Sequence, residues 1–333
     1  MKTDRRSFLG FALSTPAGFA AVADAAPDRP PRGGCGVAIG TYGLQSMPLD
    51  DAIRLVADTG YDAVEIAAME GMTGDPARLA SDDRVRLRDL LAESGLRLCG
   101  LMADLNPQTL LARHREQLAR VYHLIKLARD LSPEHTPVVQ TVLGGKVWEE
   151  SRALFRDRIA DWVQLAADLK GQLSIKPHRS HAMTKPAEAV WIIEQLGAPS
   201  RLGLTFDYSH YAFSEPELGI ADAIASARRH TNYVASKDAF AEGGKVRFAL
   251  VGEGGAFDHG EIVAALHDEG YRGDFCAEVS SQIWKGDPDY DAVAATKTAH
   301  ANLVAAFERA GVARRGGAPQ RSGAPQRSGA PAL

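Results

Sequence analysis

The feature that most constrains this chain is an eightfold alternation of short apolar runs with longer amphipathic stretches. The apolar runs occupy residues 36–40, 63–67, 97–102, 137–143, 173–176, 202–206, 233–236 and 275–279. Runs of four to seven residues rich in Val, Ile, Leu and Ala read as strands buried on both faces, and the stretches between them carry helical periodicity. Strand and helix in strict alternation build parallel sheet, because each crossover helix returns the chain to the same end. Eight such units in about 280 residues predict an α/β fold with a single (β/α)8 barrel. An open doubly wound sheet would carry a glycine-rich phosphate turn after its first strand, and Gly40-Thr41-Tyr42-Gly43 is a poor match to one.

Local signals agree with the alternation. Pro48 opens the first helix, Asp50 and Asp51 lie in its first turn, Ala52, Ile53 and Val56 recur at core spacing, and Gly60 ends it. Asp258 with Glu261 reads as a capping box, and Asp287-Pro288 as the start of the last helix. Cys35, Cys99 and Cys276 have neither CxxC nor zinc-site spacing and read as buried thiols, although one pair could close in an oxidising compartment.

Both ends stand apart from this pattern. Residues 1–25 place Arg5-Arg6 and Phe8-Leu9 before an Ala/Gly-rich run with Ala-x-Ala cleavage options, the order of a twin-arginine export signal. The expectation is an exported, extracytoplasmic protein whose apolar run is too short for stable membrane insertion. Residues 26–34 read as a linker, 35–313 as the barrel, and 314–333, with GAPQRS written twice, as a disordered tail. The net charge is −4, and both ends are basic, so the barrel itself is more acidic still. That balance argues against nucleic acid as a partner.

Active sites of such barrels lie at the C-terminal ends of the strands. Here those ends carry Glu65 on strand two, Lys176 and His178 after strand five, and Asp207 and His210 after strand six. Lys237-Asp238 follow strand seven, and Glu278 ends strand eight. Each alone has a structural reading: Glu65 as a bond to a neighbouring strand, His210 as a helix cap, Lys237-Asp238 as a surface ion pair. Convergence on one barrel mouth favours a site, since buried charge is costly unless paired or used. Trp284 reads either as core or as a wall for a sugar ring. Glu253, in the Gly-rich segment 251–255, reads as a turn residue or as part of the substrate site.

With these residues in view, the stretch 36–311 resembles the sugar phosphate isomerase/epimerase family of xylose-isomerase-like barrels. The resemblance rests on Gly60-Tyr61-Asp62-Ala63-Val64-Glu65, Lys176-Pro177-His178, Asp207-Tyr208-Ser209-His210, Lys237-Asp238, Gly252-Glu253-Gly254 and Gly270-Tyr271-Arg272-Gly273-Asp274 leading to Glu278. It implies a small-molecule carbohydrate substrate and isomerisation or epimerisation beside a carbonyl. In many members Glu, Asp, His and Glu on strands five to eight hold a divalent metal. Asp207 and Glu278 match two of those positions, while Lys176 stands at the first and Ala235 or Ser236 at the third.

Two carboxylates are a thin site for Mn, Mg, Co or Zn, and an ammonium beside them repels the ion. The expectation is that no resident cofactor is needed and that Lys176 bridges Asp207 and Glu278 in the metal's place. Glu278 is then the leading base and Lys176 the oxyanion stabiliser, with His178 and His210 on substrate hydroxyls or protons. Glu65, Trp284 and Glu253 complete the expected substrate site. The alternatives are a Schiff-base aldolase or lyase using Lys176, and a sugar-binding barrel without catalysis.

Overall fold

The computed structural model describes residues 34–316. The expected export signal, most of the linker and the GAPQRS repeats lie outside them. In chain order the elements begin β1 (Gly36–Gly40), α1 (Leu49–Thr59), β2 (Ala63–Ala67), α2 (Ser81–Glu93), β3 (Arg97–Asp104), α3 (Leu111–Leu131) and β4 (Val138–Val142). They continue with α4 (Trp148–Leu169), β5 (Gln172–Ile175), α5 (Pro186–Gln195), β6 (Leu202–Phe206), α6 (Tyr208–Tyr211), α7 (Ile220–Ala227) and β7 (Thr231–Ser236). The last are β8 (Asp238–Glu242), β9 (Lys245–Ala249), α8 (His259–Asp268), β10 (Asp274–Ala277), α9 (Ser281–Trp284) and α10 (Ala292–Ala310).

The sheet closes in the order β1-β10-β7-β6-β5-β4-β3-β2, all parallel, so the predicted barrel is the observed one. Because side chains alternate along a strand, each strand serves two cores. Val64 and Ile66 of β2 face outward into the large core shared with the helices. Ala38, Ala63, Cys99, Val138, Tyr233 and Cys276 face inward and form a separate cluster inside the barrel. All three cysteines are free and buried, as read from their spacing.

Several expectations need correction. The segment after β7 does not lead straight into a helix: β8 and β9 pair as an antiparallel hairpin, turned by Gly243 (φ 56°) and Gly244 (φ 73°). Successive left-handed residues are what a tight hairpin turn demands, and glycine adopts them without strain. The last helix starts at Ala292, not at Asp287-Pro288, because the Asp291 carboxylate accepts hydrogen bonds from Val293 and Ala294 N–H. At α8, Asp258 caps Gly260 N–H, and Glu261 makes no return bond to complete a box.

The tail boundary also moves. Arg314 reaches Asp62 at 3.1 Å and Arg315 reaches Asp274 at 2.9 Å, while Arg315 N–H donates to Cys35 O at 2.9 Å. Residues 314–316 therefore belong to the folded body, stitched beside the start of β1. No helix among the described residues is long and apolar enough to cross a membrane.

Candidate active site

Four charged side chains meet at the C-terminal mouth of the barrel. Lys176, Asp207, Lys237 and Glu278 each stand two residues beyond a strand position on β5, β6, β7 and β10: Ser174, Thr205, Ala235 and Cys276. Period-two alternation carries the inward orientation of Cys276 and of the bonded Ser174–Thr205 pair up to the mouth. The ladder continues beyond the strands to hold them, with Lys176 N–H on Thr141 O at 2.8 Å and Glu278 N–H on Ser236 O at 2.9 Å.

The four form an alternating ring of charge. Lys176 Nζ donates to Glu278 Oε2 at 2.6 Å and lies 3.4 Å from Asp207 Oδ2. Lys237 Nζ donates to Asp207 Oδ2 at 2.5 Å and stands 3.1 Å from Glu278 Oε1. Ser209 Oγ fixes the other Asp207 oxygen at 2.6 Å. None of the four side chains is more than 10% exposed. Burial pushes both carboxyls up, but the lysines outweigh it and hold Asp207 and Glu278 down at about 2. Burial likewise works against the charge on Lys176, and Glu278 and Asp207 override it, keeping the ammonium above its ordinary range.

A histidine stack lies against the ring. His178 is centred 4.0 Å from His210 and 4.5 Å from His181. Burial first, then the neighbouring lysines, holds His178 down at about 3 and His210 well below its ordinary value, so both rings are neutral. His210 Nε2 is 3.2 Å from Lys237 Nζ. An ammonium only donates, so Nε2 accepts and the proton sits on Nδ1, which has no partner among the described residues. That buried N–H is a free donor at the mouth.

One layer below, Glu65 lies fully inside the barrel and accepts from Gln140 Nε2 at 3.0 Å. Gly40 makes room for it: a Cβ there would stand 2.9 Å from Glu65 Oε1. Burial raises the Glu65 carboxyl to about 7, with Gln140 opposing the shift and Glu278 adding to it. A carboxyl in that range can both give and take a proton near neutrality.

The remaining expected residues divide. Trp284, half-buried on α9, packs edge-to-face against Tyr42 at 5.4 Å, at the same end of the barrel but outside the ring. Glu253 is exposed on the turn after β9, and no hydrogen bond or ion pair ties it to the ring. Asp238 is no surface partner of Lys237: both are buried, and Asp238 turns away to accept from Gly254 N–H at 3.0 Å. Sequence reasoning passed over Ser209 and Gln140, although both share the strand-end positions or the inward period of the residues it chose. It also missed Phe248 on β9, whose ring lies 5.0 Å from Lys237 Nζ and 5.2 Å from His210, forming part of the roof.

The donor set does not fit a divalent metal. Asp207 and Glu278 are engaged by two ammonium groups, and no three His, Cys, Asp or Glu side chains among the described residues are grouped to hold an ion. Cation and ammonium would compete for the same oxygens at the same point.

A family model described as a xylose isomerase-like TIM barrel matches residues 53–301. Among solved structures, the chain is similar to a D-psicose 3-epimerase determined in the presence of D-fructose (TM-score 0.67, 18% identity, 83% of this chain and 99% of that one). It is also similar to the E. coli 3-keto-D-glucoside 4-epimerase in its apo form (TM-score 0.64, 13% identity, 81% and 99%). A third likeness is a xylose isomerase-like protein of Mycobacterium smegmatis in complex with magnesium (TM-score 0.63, 17% identity, 83% and 98%). At these identities the likeness is one of fold. No curated protein matches the sequence.

Proposed function

Because this chain belongs to the xylose isomerase-like TIM-barrel family, we propose that it is a sugar isomerase or epimerase working by proton transfer beside a carbonyl. The observation that carries the reading is the ring of Lys176, Asp207, Lys237 and Glu278 at the barrel mouth. The epimerases with the same fold support it by analogy of scaffold.

The ring suggests how the chemistry runs. Abstraction of a proton next to a carbonyl puts negative charge on the carbonyl oxygen, and a fixed ammonium lowers that barrier. Lys176 uses two of its N–H groups on Glu278 and Asp207 and has a third for the substrate oxygen. As charge builds on that oxygen, Lys176 shifts its attraction from Glu278 to the substrate. Glu278 Oε2 loses its strongest partner, and its proton affinity rises when a base is required. A carboxylate held at about 2 in the resting site thus becomes basic through substrate binding itself. The Nδ1–H of His210 is suited to a sugar hydroxyl or carbonyl. Schiff-base chemistry at Lys176 is disfavoured, since the carboxylates keep its nitrogen protonated.

The test is a panel of keto- and aldo-sugars in deuterium oxide, followed by proton NMR. Deuterium should enter at the carbon beside the carbonyl, and Glu278→Gln should slow exchange about a hundredfold or more. A panel showing tight sugar binding without exchange would favour a binding protein instead. We further propose export by the twin-arginine route, supported by Arg5-Arg6 and the apolar run after them. Replacing both arginines with lysine should then retain the protein in the cytoplasm on cell fractionation.

A further inference from the structure

The two lysines of the ring are not equivalent. Lys176 donates to two carboxylates, whereas Lys237 donates to Asp207 Oδ2 at 2.5 Å, lies 3.2 Å from His210 Nε2 and stands in ion-pair contact with Glu278 Oε1 at 3.1 Å. Asp207, Glu278 and His210 thus crowd three sides of the Lys237 ammonium. Its remaining side is covered by the Phe248 ring at 5.0 Å, and the whole side chain is buried. Lys237 therefore serves the site without touching substrate.

The three groups around it share a property. A carboxylate from β6, a carboxylate from β10 and a neutral imidazole are all ligands of first-row divalent metals. All three face Nζ, and as they stand around it they are not grouped to hold an ion. The spacings of 2.5–3.2 Å are those of hydrogen bonds to nitrogen, longer than the roughly 2.0–2.2 Å of metal–ligand bonds. The acceptors are thus arranged around an ammonium.

We infer that the Lys237 ammonium is a built-in cation that takes the place of a divalent metal among Asp207, Glu278 and His210, so that lysine and metal exclude each other. A metal entering the site would have to displace a covalently tethered charge that already faces all three groups. The protein would then work independently of metal supply, with Lys237 as the positioning residue that sets the two carboxylates and the imidazole tautomer. Lys176 is left as the group that meets the substrate.

Manganese binding to the full-length protein tests this directly. After chelator treatment, the wild type should take up no Mn²⁺ at the ring by calorimetry, and neither EDTA nor Mn²⁺ should move its Tm. Lys237→Ala should bind stoichiometric Mn²⁺ about tenfold or more tightly than the wild type, because a like charge has been removed from a buried site. Mn²⁺ should then raise the Tm of that variant, and adding Asp207→Asn should abolish both effects. Stoichiometric Mn²⁺ on the wild type, lost on Asp207→Asn, would overturn the inference. So would a Lys237→Ala protein that is folded by circular dichroism and gains no Mn²⁺. Should that variant not fold, Lys237→Met keeps the side-chain stem against Phe248 and carries the same measurements. If neither folds, the wild-type arm decides alone. The readout needs no substrate, so this inference and the proposed reaction stand or fall separately.

Discussion

Burying a lysine is costly, and this barrel buries two within reach of the same carboxylates. The cost is offset only while all four charges are present, which gives the ring and Glu65 opposite pH signatures. Asp207 and Glu278 are depressed to about 2, so their contribution to stability is complete above their ordinary carboxyl range. It is lost as pH falls toward 2. Glu65 is raised from 4.5 to about 7, so the folded state binds its proton more tightly than the unfolded chain does. It therefore costs stability progressively as pH rises from about 4.5 to 7, by roughly 3 kcal/mol once fully ionised. Glu65→Gln keeps an acceptor for Gln140 and removes that titration. Chemical denaturation should find the variant more stable than wild type at pH 8 by up to about 3 kcal/mol, with the difference shrinking toward pH 5. An equal difference at both pH values would show that Glu65 does not titrate in this range.

Among the elements, the β8–β9 hairpin is the departure from a plain eightfold repeat. It rises directly from Lys237 and lays Phe248 beside Lys237 and His210, and Phe248 N–H is held by Gln282 Oε1 of α9 at 3.1 Å. An apolar roof strengthens every charge interaction beneath it by keeping water out. Phe248→Ala should cost about 1–2 kcal/mol of stability, in proportion to its half-burial. The proposed turnover should fall about tenfold or more as water reaches the ring. Equal turnover in variant and wild type would mean the roof has no part in the site. This element was legible in the sequence, because Gly243-Gly244 sits between two alternating runs. The eightfold pattern masks it, because that pattern already accounts for the flanking strands. The start of α10 is ambiguous in the sequence for a different reason: Pro288 suits a first helical turn, but Asp291 supplies the side-chain acceptor that the helix uses.

At the scale of the whole molecule, the two ends of the described chain close the barrel's far face together. Arg314 and Arg315 neutralise the buried carboxylates Asp62 and Asp274, and Arg97 also pairs with Asp274. Removing residues 314–333 should therefore cost about 2–4 kcal/mol more than removing 317–333, since it strips the partners from buried charges. Thermal or denaturant melts of the two truncations measure the difference, and coincident curves would refute it. Composition placed the boundary at 313 because arginines beside glycine and proline look like solvated tail. Only the fold brings Asp62 and Asp274 to meet them.

The sequence by itself determined the barrel, the order of its strands and most of the residues at its mouth. Those follow from local rules: a strand alternates its faces every two residues, and a parallel unit returns each strand end to the same side. The tertiary structure alone decided how the charges are shared. Lys176 and Glu278 are 102 residues apart and Lys237 and Asp207 are 30 apart, and which ammonium meets which oxygen depends on barrel closure and strand stagger. That pairing gathers Asp207, Glu278 and His210 around the tethered Lys237 cation, sets Lys176 between Glu278 and Asp207, and leaves Glu253 outside in solvent.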